Sequence, residues 1–286
     1  MENRWIDLHV HSSASDGTYS PENLVEYAIQ KGLCAFALTD HDTIDGIGRA
    51  KKAAEGRPVE VVPGIEFSTE YHGTDIHIVG LDIAYQDNEF TAELSRFRDS
   101  RSTRNRKVIA KMKEHGIDIS WEKMQERFGD AVWTRAHFGR YLMEHGYVKE
   151  IAEAFRKYIG PGCCCYVPRE KVTPQQATEL ISRTGGIPIL AHPMAYNLKE
   201  SELYRLIQEL KDAGLMGIEA LYSTHGQEEE AYVRMLARRY DLEISGGSDF
   251  HGENKPGLDI GTGYGKLKVP YGVLEKLRNR RAEHDR

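Results

Sequence analysis

The stretch "DLHVHSSASDG" (7–17) sets His9 and His11 one residue apart and brings Asp16 five residues later. In an extended strand, residues two apart point to the same face, so both imidazoles can approach one cation. The same residue types close other short apolar runs. "CAFALTDHD" ends in Asp40, His41 and Asp42, "VEVVPGIEF" carries Glu66, and "TDIHIVGLDI" carries His77. "IPILAHP" brings His192, and "LEISGGSDFH" brings Asp249 and His251. Neutral imidazoles and carboxylates are the usual protein ligands of divalent metals. Any one of these residues alone reads more simply as a hydrogen-bonded core side chain. Gathered at the ends of five strands they read as a metal centre, because buried carboxylates are costly unless paired or bound to metal. Strand alternation sets Asp40 on the face opposite His41, which suits a residue that orients ligands rather than one that binds metal. Asp42 suits either that region or the N-cap of the helix that follows.

Positioning such residues requires short buried strands alternating with helices, the pattern of a mostly parallel α/β sheet. "SPENLVEYAIQKG" predicts a helix with Ser20 as N-cap, Pro21 in the first position and Gly32 at the stop, and "TPQQATELISRTGG" repeats the device with Thr173, Pro174 and Gly185. Seven apolar runs predict a closed or nearly closed barrel, whose C-terminal strand ends form the site. From about residue 95 to 165 no strand pattern occurs. The expected organisation is a barrel over 1–94 and 166–286, interrupted by a helical insertion over 95–165 that closes over the C-terminal face.

The 286 residues are 40% hydrophobic and carry a net charge of −6, which excludes general nucleic-acid coating but not a local basic pocket. No apolar run reaches the roughly 18 residues of a membrane span. The N-terminal "MENRWIDLHV" lacks the pattern of a secretory signal, so a cytoplasmic location is expected. Cys34 stands alone and Cys163–Cys165 are consecutive, which fits neither a disulfide framework nor a zinc knuckle. "GGS" at 246–248 lacks the G-x-S-x-G of a serine nucleophile.

Taken in order, "DLHVHSSASDG", "ALTDHDT", "VVPGIEFS", "DIHIVGLDI", "IPILAHP" and "GGSDFHG" resemble the motifs of the polymerase-and-histidinol-phosphatase (PHP) family of metal-dependent phosphoesterases. The resemblance spans nearly the whole chain. It is strongest to the bacterial branch with a helical insertion, which includes nucleoside 3′,5′-bisphosphate phosphatases and a 5′→3′ exoribonuclease. It implies a distorted (β/α)7 barrel with the insertion capping its C-terminal face. It also implies two to three divalent ions, Mn²⁺ favoured, with Fe²⁺, Zn²⁺ or Mg²⁺ as alternatives. By that resemblance His9, His11, Glu66 and Asp249 bind metal one. Glu66 bridges to metal two with His77 and His192, and Asp16, His41 and His251 hold metal three. Glu66, Asp249 and His192 are the ligands expected to serve catalysis directly. Some relatives carry His where Asp16 stands, and the carboxylate here favours harder ions.

In "TRAHFGRYL", Arg135, His137 and Arg140 match the family's Arg-x-His…Arg segment and are expected to face a substrate phosphate, where bidentate arginine is well suited. His225, after another strand end, is expected near the substrate. The run "RFRDSRSTRNRK", with Arg101 and Arg104 on one face, reads as a solvated helix, and His72, His115, His145 and His284 as surface residues. The partner expected is a small phosphorylated nucleotide or short RNA, with no membrane and no obligate protein partner. Hydrolysis of the 3′-phosphate of a nucleoside 3′,5′-bisphosphate is favoured. Stepwise cleavage of short RNA is the alternative, and histidinol phosphate hydrolysis ranks lower because that branch lacks the insertion. The charge of −6 and the absence of a long aromatic-studded basic run favour a small ligand. A silent binding module is disfavoured because all nine ligand positions are kept.

Overall fold

The computed structural model describes residues 4–129, 131–168 and 172–284, with the side chains of 98–101 left aside. Eight strands form one sheet: β1 (Trp5–Val10), β2 (Leu33–Leu38), β3 (Glu60–Tyr71), β4 (Thr74–Leu81), β5 (Ile187–Leu190), β6 (Gly217–Tyr222), β7 (Glu243–Gly247) and β8 (Val269–Pro270). The order is β7-β6-β5-β4-β3-β2-β1-β8. The sheet curls until the chain after β7 meets β1, with His11 N donating to Phe250 O at 2.9 Å and Asp249 N to His9 O at 2.8 Å. Closure at this seam is so tight that a Cβ on Gly247 would lie 2.3 Å from His9 Cβ. The fold is the expected distorted α/β barrel. The eighth strand is a two-residue addition that runs antiparallel beside the start of β1.

The expectation of parallel strand ends fails at β4. This strand runs antiparallel to both β3 and β5. A two-residue turn at His72 (φ 50°) and Gly73 (φ 86°) makes β3 and β4 a hairpin, the geometry in which both central residues need positive φ. Glu66 therefore lies within β3 rather than at its end, and His77 lies in the first half of a reversed strand. Register explains why they still meet. His77 pairs with Ser68, two residues from Glu66, and paired or alternate residues share a face.

Helices cover the barrel: α1 (Pro21–Gln30), α2 (Ile47–Ala53), α7 (Pro174–Arg183), α8 (Glu200–Asp212), α9 (Gln227–Arg239) and α10 (Gly272–His284). The predicted caps are present. Ser20 accepts from Asn23 N, Thr173 forms a capping box with Gln176, and Gly32 and Gly185 follow the helix ends at φ 72° and 78°. Asp42 does not cap α2. Gly46 stands at that position, and Asp42 accepts from Ser68 N at 3.1 Å.

Between β4 and β5 lie α3 (Asn88–Glu114), α4 (Trp121–Phe128), α5 (Arg135–Glu144) and α6 (Ile151–Ala154), the last continuing into a π-helical turn over Phe155–Ile159. The first turns of α3 belong to the barrel core through Phe90 and Leu94, whereas Val108, Met112, Trp133, Phe138 and Tyr141 build a separate cluster. The Cys163 thiol donates to Arg156 O, a carbonyl of the π-turn. Polar contacts tie the helical segment to two barrel loops and to the start of β4. Val132 N donates to Ala14 O, Arg135 pairs with Asp75, and Arg140 donates to Asn254.

Candidate metal centre

All nine sequence-predicted ligands converge at the mouth of the barrel. Glu66, buried and central, divides its two oxygens. Oε2 lies 3.3 Å from His9 Nε2, 3.2 Å from His11 Nε2 and 3.2 Å from His41 Nδ1. Oε1 lies 2.8 Å from His77 Nδ1 and 3.1 Å from His192 Nε2. Asp249 Oδ1 is 3.6 Å from His9 Nε2, 3.4 Å from His11 Nε2 and 3.3 Å from His251 Nδ1. Asp16 closes the far side, 3.2 Å from His251 Nε2 and 3.8 Å from His41 Nε2. Among these nine, three groups bring their ligand atoms within 4.8 Å of one another: His9, His11, Glu66 and Asp249; His11, Asp16, His41 and His251; and His41, Glu66 and His77. His11, His41 and Glu66 each belong to two of them, and His192 to none.

The fully buried ring nitrogens His9 Nε2 and both of His11 have no hydrogen-bond partner among the described residues. Such groups would be costly in an apolar site. Ligands about 2.0–2.2 Å from one ion stand roughly 3.0–3.5 Å apart, which is the spacing seen. The donor set therefore fits divalent metal.

Electrostatics point the same way. Burial opposes charge on His9, but Glu66, Glu219 and Asp249 outweigh it and raise its imidazole well above the ordinary value. Burial likewise opposes charge on His11, and Asp249 and Glu66 push it up to about 9. Burial works against the carboxylates Glu66, Asp16 and Asp249 as well, yet neighbouring histidines, with Lys255 beside Asp249, hold all three well below their usual range. The centre thus demands positive charge. His41, by contrast, is pushed down to about 3 by burial and stays neutral, ready to donate a lone pair.

The backbone is bent to deliver these groups. His192 (φ 23°) and Asp249 (φ 58°) occupy left-handed conformations uncommon for residues with side chains, as strained residues at active sites often do.

The PHP domain family matches residues 7–163. This chain belongs to the PHP family. The Haemophilus influenzae 5′-3′ exoribonuclease is 37% identical over 245 residues, covering 86% of this chain and 89% of that protein. The 3′,5′-nucleoside bisphosphate phosphatase of Chromobacterium violaceum is 34% identical, covering 90% of each. A solved Chromobacterium violaceum protein described as an amidohydrolase, with bound sulfate, aligns with a TM-score of 0.84 at 31% identity over 98% of this chain and 99% of its own.

Around the ligands, this PHP chain carries an outer layer that sequence reasoning largely missed. Glu219, from β6, accepts from His9 Nδ1 at 3.1 Å and from His192 N at 2.8 Å. It fixes the His9 tautomer so that Nε2 faces the centre. A single carboxylate in the apolar run "MGIEAL" was the available signal. Tyr222 donates to Asp249 Oδ2 at 2.7 Å, Lys255 pairs with the same oxygen, and Thr134 donates to Asp16 Oδ2 at 2.9 Å. Nothing local in the sequence marks those three. Asp40 accepts from Ser12 N at 2.7 Å, Ser12 Oγ at 2.6 Å and Ser15 Oγ at 2.7 Å. It ties down the turn that carries Asp16 and bonds to no ligand imidazole among the described residues.

The four expected substrate contacts do not form one set. Arg135 lines a cleft of about 210 Å³ with Asp16, His41, His77 and Arg104, and it pairs with Asp75. His137 and Arg140 line a second cleft of about 540 Å³ on the other side of Asp16, with Arg127 and Ser15. His137 is also structural, its Nδ1 accepting from Thr134 N at 3.0 Å to cap α5. His225 lies apart from both clefts, its ring 5.2 Å from Tyr222. Arg104 departs from the solvated face expected for its run, being only 9% exposed, while the side chain of Arg101 lies outside the described residues. His72, His115, His145 and His284 are exposed, as expected.

Proposed function

We propose that this PHP protein hydrolyses the 3′-phosphoester of a nucleoside 3′,5′-bisphosphate, releasing phosphate and a 5′-mononucleotide. The division of Glu66 between two sets of histidines carries the reading, because one carboxylate shared by two ligand sets suits two adjacent ions. His9, His11, Glu66 and Asp249 would hold the first, and Glu66, His77 and His192 the second. Asp16, His41 and His251 would hold a third. Mn²⁺ is favoured by the mixed oxygen and imidazole donors. Divalent ions there would supply an activated water and charge to offset the developing phosphoryl oxygens.

The chain's own residues then do the rest. Glu219 and Asp40 hold the ligand frame. Residues 95–165 act as the cap. Its arginines, in clefts that flank Asp16 and the start of α5, anchor the second phosphate away from the reacting one. A reducing, cytoplasmic setting suits four free cysteines. Membrane attachment is no part of the reading, and no described helix is long and apolar enough to cross a bilayer.

The test compares adenosine 3′,5′-bisphosphate with 3′-AMP under Mn²⁺, with metal analysis alongside. The bisphosphate is expected to be much the better substrate, with at least two ions per chain. Equal cleavage of 3′-AMP would remove the anchoring phosphate from the account. The second reading, stepwise release of 5′-mononucleotides from short RNA, uses the same bond cleavage and is favoured by a lysine-lined cavity that begins at Tyr222, the hydrogen-bond partner of Asp249.

A further inference from the structure

A third cavity, about 1170 Å³, opens between α9 and the β8–α10 corner, and no expected metal ligand lines it. Its lining reaches from Tyr222 at the barrel mouth to Trp5 at the start of β1, with Ile244 of β7 among the residues between them. Its upper end is one side chain from the centre, since the Tyr222 hydroxyl donates to the metal-facing Asp249. The two arginine-lined clefts lie on the opposite side, around Asp16 and α5. The centre thus stands between an anchor on one side and an open channel on the other.

The channel is chemically specific. Lys266, Lys268 and Lys276 line it, all exposed, with no carboxylate at ion-pair distance among the described residues. Its single acidic residue, Glu230, is already paired with Arg234 at 2.8 Å. A chain of net charge −6 therefore concentrates unpaired positive charge along one groove. Tyr264 stands in its wall, 54% exposed and the sole exposed large apolar side chain among the described residues. Its position is built. Gly263 (φ 55°) and Gly265 (φ 94°) flank it, and a Cβ on Gly263 would lie 2.4 Å from Ser223 Oγ, so the loop is seated against the chain after β6. At the upper end, His225 Nε2 is buried without a partner. Unpaired lysines beside an open aromatic face match a single nucleic acid strand, whose phosphates take the charge and whose bases stack.

We propose that this groove carries the 3′ body of a short oligoribonucleotide whose first phosphodiester lies at the metal centre. The proposal rests on the phosphoesterase reading above. It makes the enzyme accept both a bisphosphate, which ends at the centre, and RNA, which continues past it. The chemistry is the same in both: water adds to phosphorus, and the P–O bond to the leaving group breaks. In both the leaving group is the 3′-oxygen of the first nucleotide, which departs as a protonated hydroxyl; the phosphoryl group becomes free phosphate with the bisphosphate and the new 5′-phosphate of the shortened strand with RNA.

The test measures KM of the metal-loaded enzyme for adenosine 3′,5′-bisphosphate and for a 5′-phosphorylated hexaribonucleotide. The double variant Lys266→Glu, Lys268→Glu is expected to raise KM for the hexamer about tenfold, to leave that for the bisphosphate within twofold, and to flatten the salt dependence by about 0.7 per lost phosphate contact. Tyr264→Ala, a surface change that tests stacking without altering charge, should raise the hexamer KM about fivefold. Equal effects of these variants on both substrates, or none on the hexamer, would overturn the proposal. If wild-type enzyme turns over neither substrate, the phosphoesterase reading fails instead, and the groove is read from anisotropy of a 3′-fluorescein hexamer, where the same tenfold loss is expected. A dimer dissolved by the lysine reversals would assign the groove to a second copy of the chain and reject RNA.

Discussion

The barrel mouth and the helical segment above it hold charge in opposite ways. At the mouth, Glu66, Asp249 and Asp16 are nearly fully buried and faced by imidazoles whose nitrogens are partly unpartnered. In the helical segment, Arg135 and Arg140 are part-exposed and already paired, with Asp75 and with Glu144 and Asn254. Buried groups on strands cannot move to find partners, so the missing positive charge must come to them. Part-exposed arginines can exchange a carboxylate for a phosphate at little cost, because an exposed ion pair contributes only about 0.2–1 kcal/mol. On the function proposed above, metal binding would belong to the rigid region and substrate exchange to the adaptable one.

Glu66→Gln should break the comparison at its strongest point. It removes the charge shared by both sets of histidines, so kcat/KM should fall on the order of 10³-fold with loss of bound metal. Unchanged metal content, read by elemental analysis, would show that Glu66 is not the shared ligand.

Arg135→Ala tests the other region. A loss of roughly 2–4 kcal/mol in kcat/KM for the bisphosphate is expected, with normal metal content. Full activity would make Arg135 a purely structural partner of Asp75.

The ligand frame lies between these extremes. Glu219→Gln weakens the hold on His9 and His192, so metal affinity should fall about 10- to 100-fold while the fold, followed by circular dichroism, stays intact.

Proton competition sharpens the same point. A cation must displace the proton from His11, held in the metal-free centre up to about 9. Metal affinity should therefore fall at least tenfold per pH unit as pH drops below that value, since His9 is raised as well. A flat profile in calorimetric titrations from pH 6 to 9 would mean His11 is not a ligand.

The smallest effect is expected at Asp75→Asn, which frees Arg135. KM for the bisphosphate should drop two- to threefold, the scale of a part-exposed pair. A rise in KM would show that Asp75 positions Arg135 rather than competing for it.

The residues of the candidate centre were legible because burial makes them anomalous. A single histidine or carboxylate in an apolar run reads as a core side chain, but the pattern recurs at His9, His11, Glu66, His192, Asp249 and His251, and the recurrence signals chemistry. Caps were legible too, at Ser20 and Thr173, since capping is local. The reversed β4 was not, although the His72–Gly73 turn was a usable sign, because strand direction is set by pairing rather than by composition. Nor could sequence divide Arg135 from His137 and Arg140. They sit within six residues on one helix, and only the docking of α5 beside Asp16 sends them to separate clefts.

Sequence alone determined which groups are present and which must be buried, since hydrophobic pattern and side-chain chemistry are properties of single positions and near neighbours. Tertiary structure alone decided what those groups share. Glu66 meets five histidines drawn from four strands or the loops that follow them, and Glu219 reaches back 210 residues to His9. Lys266, Lys268 and Tyr264 form a groove with Trp5 and His225 only because the barrel closes. Tyr264, Lys266, Lys268 and Lys276 stand close together in the sequence, but no linear reading shows the groove, because the wall they face is built by Trp5 and by residues between Leu221 and Arg234, which become their neighbours through packing.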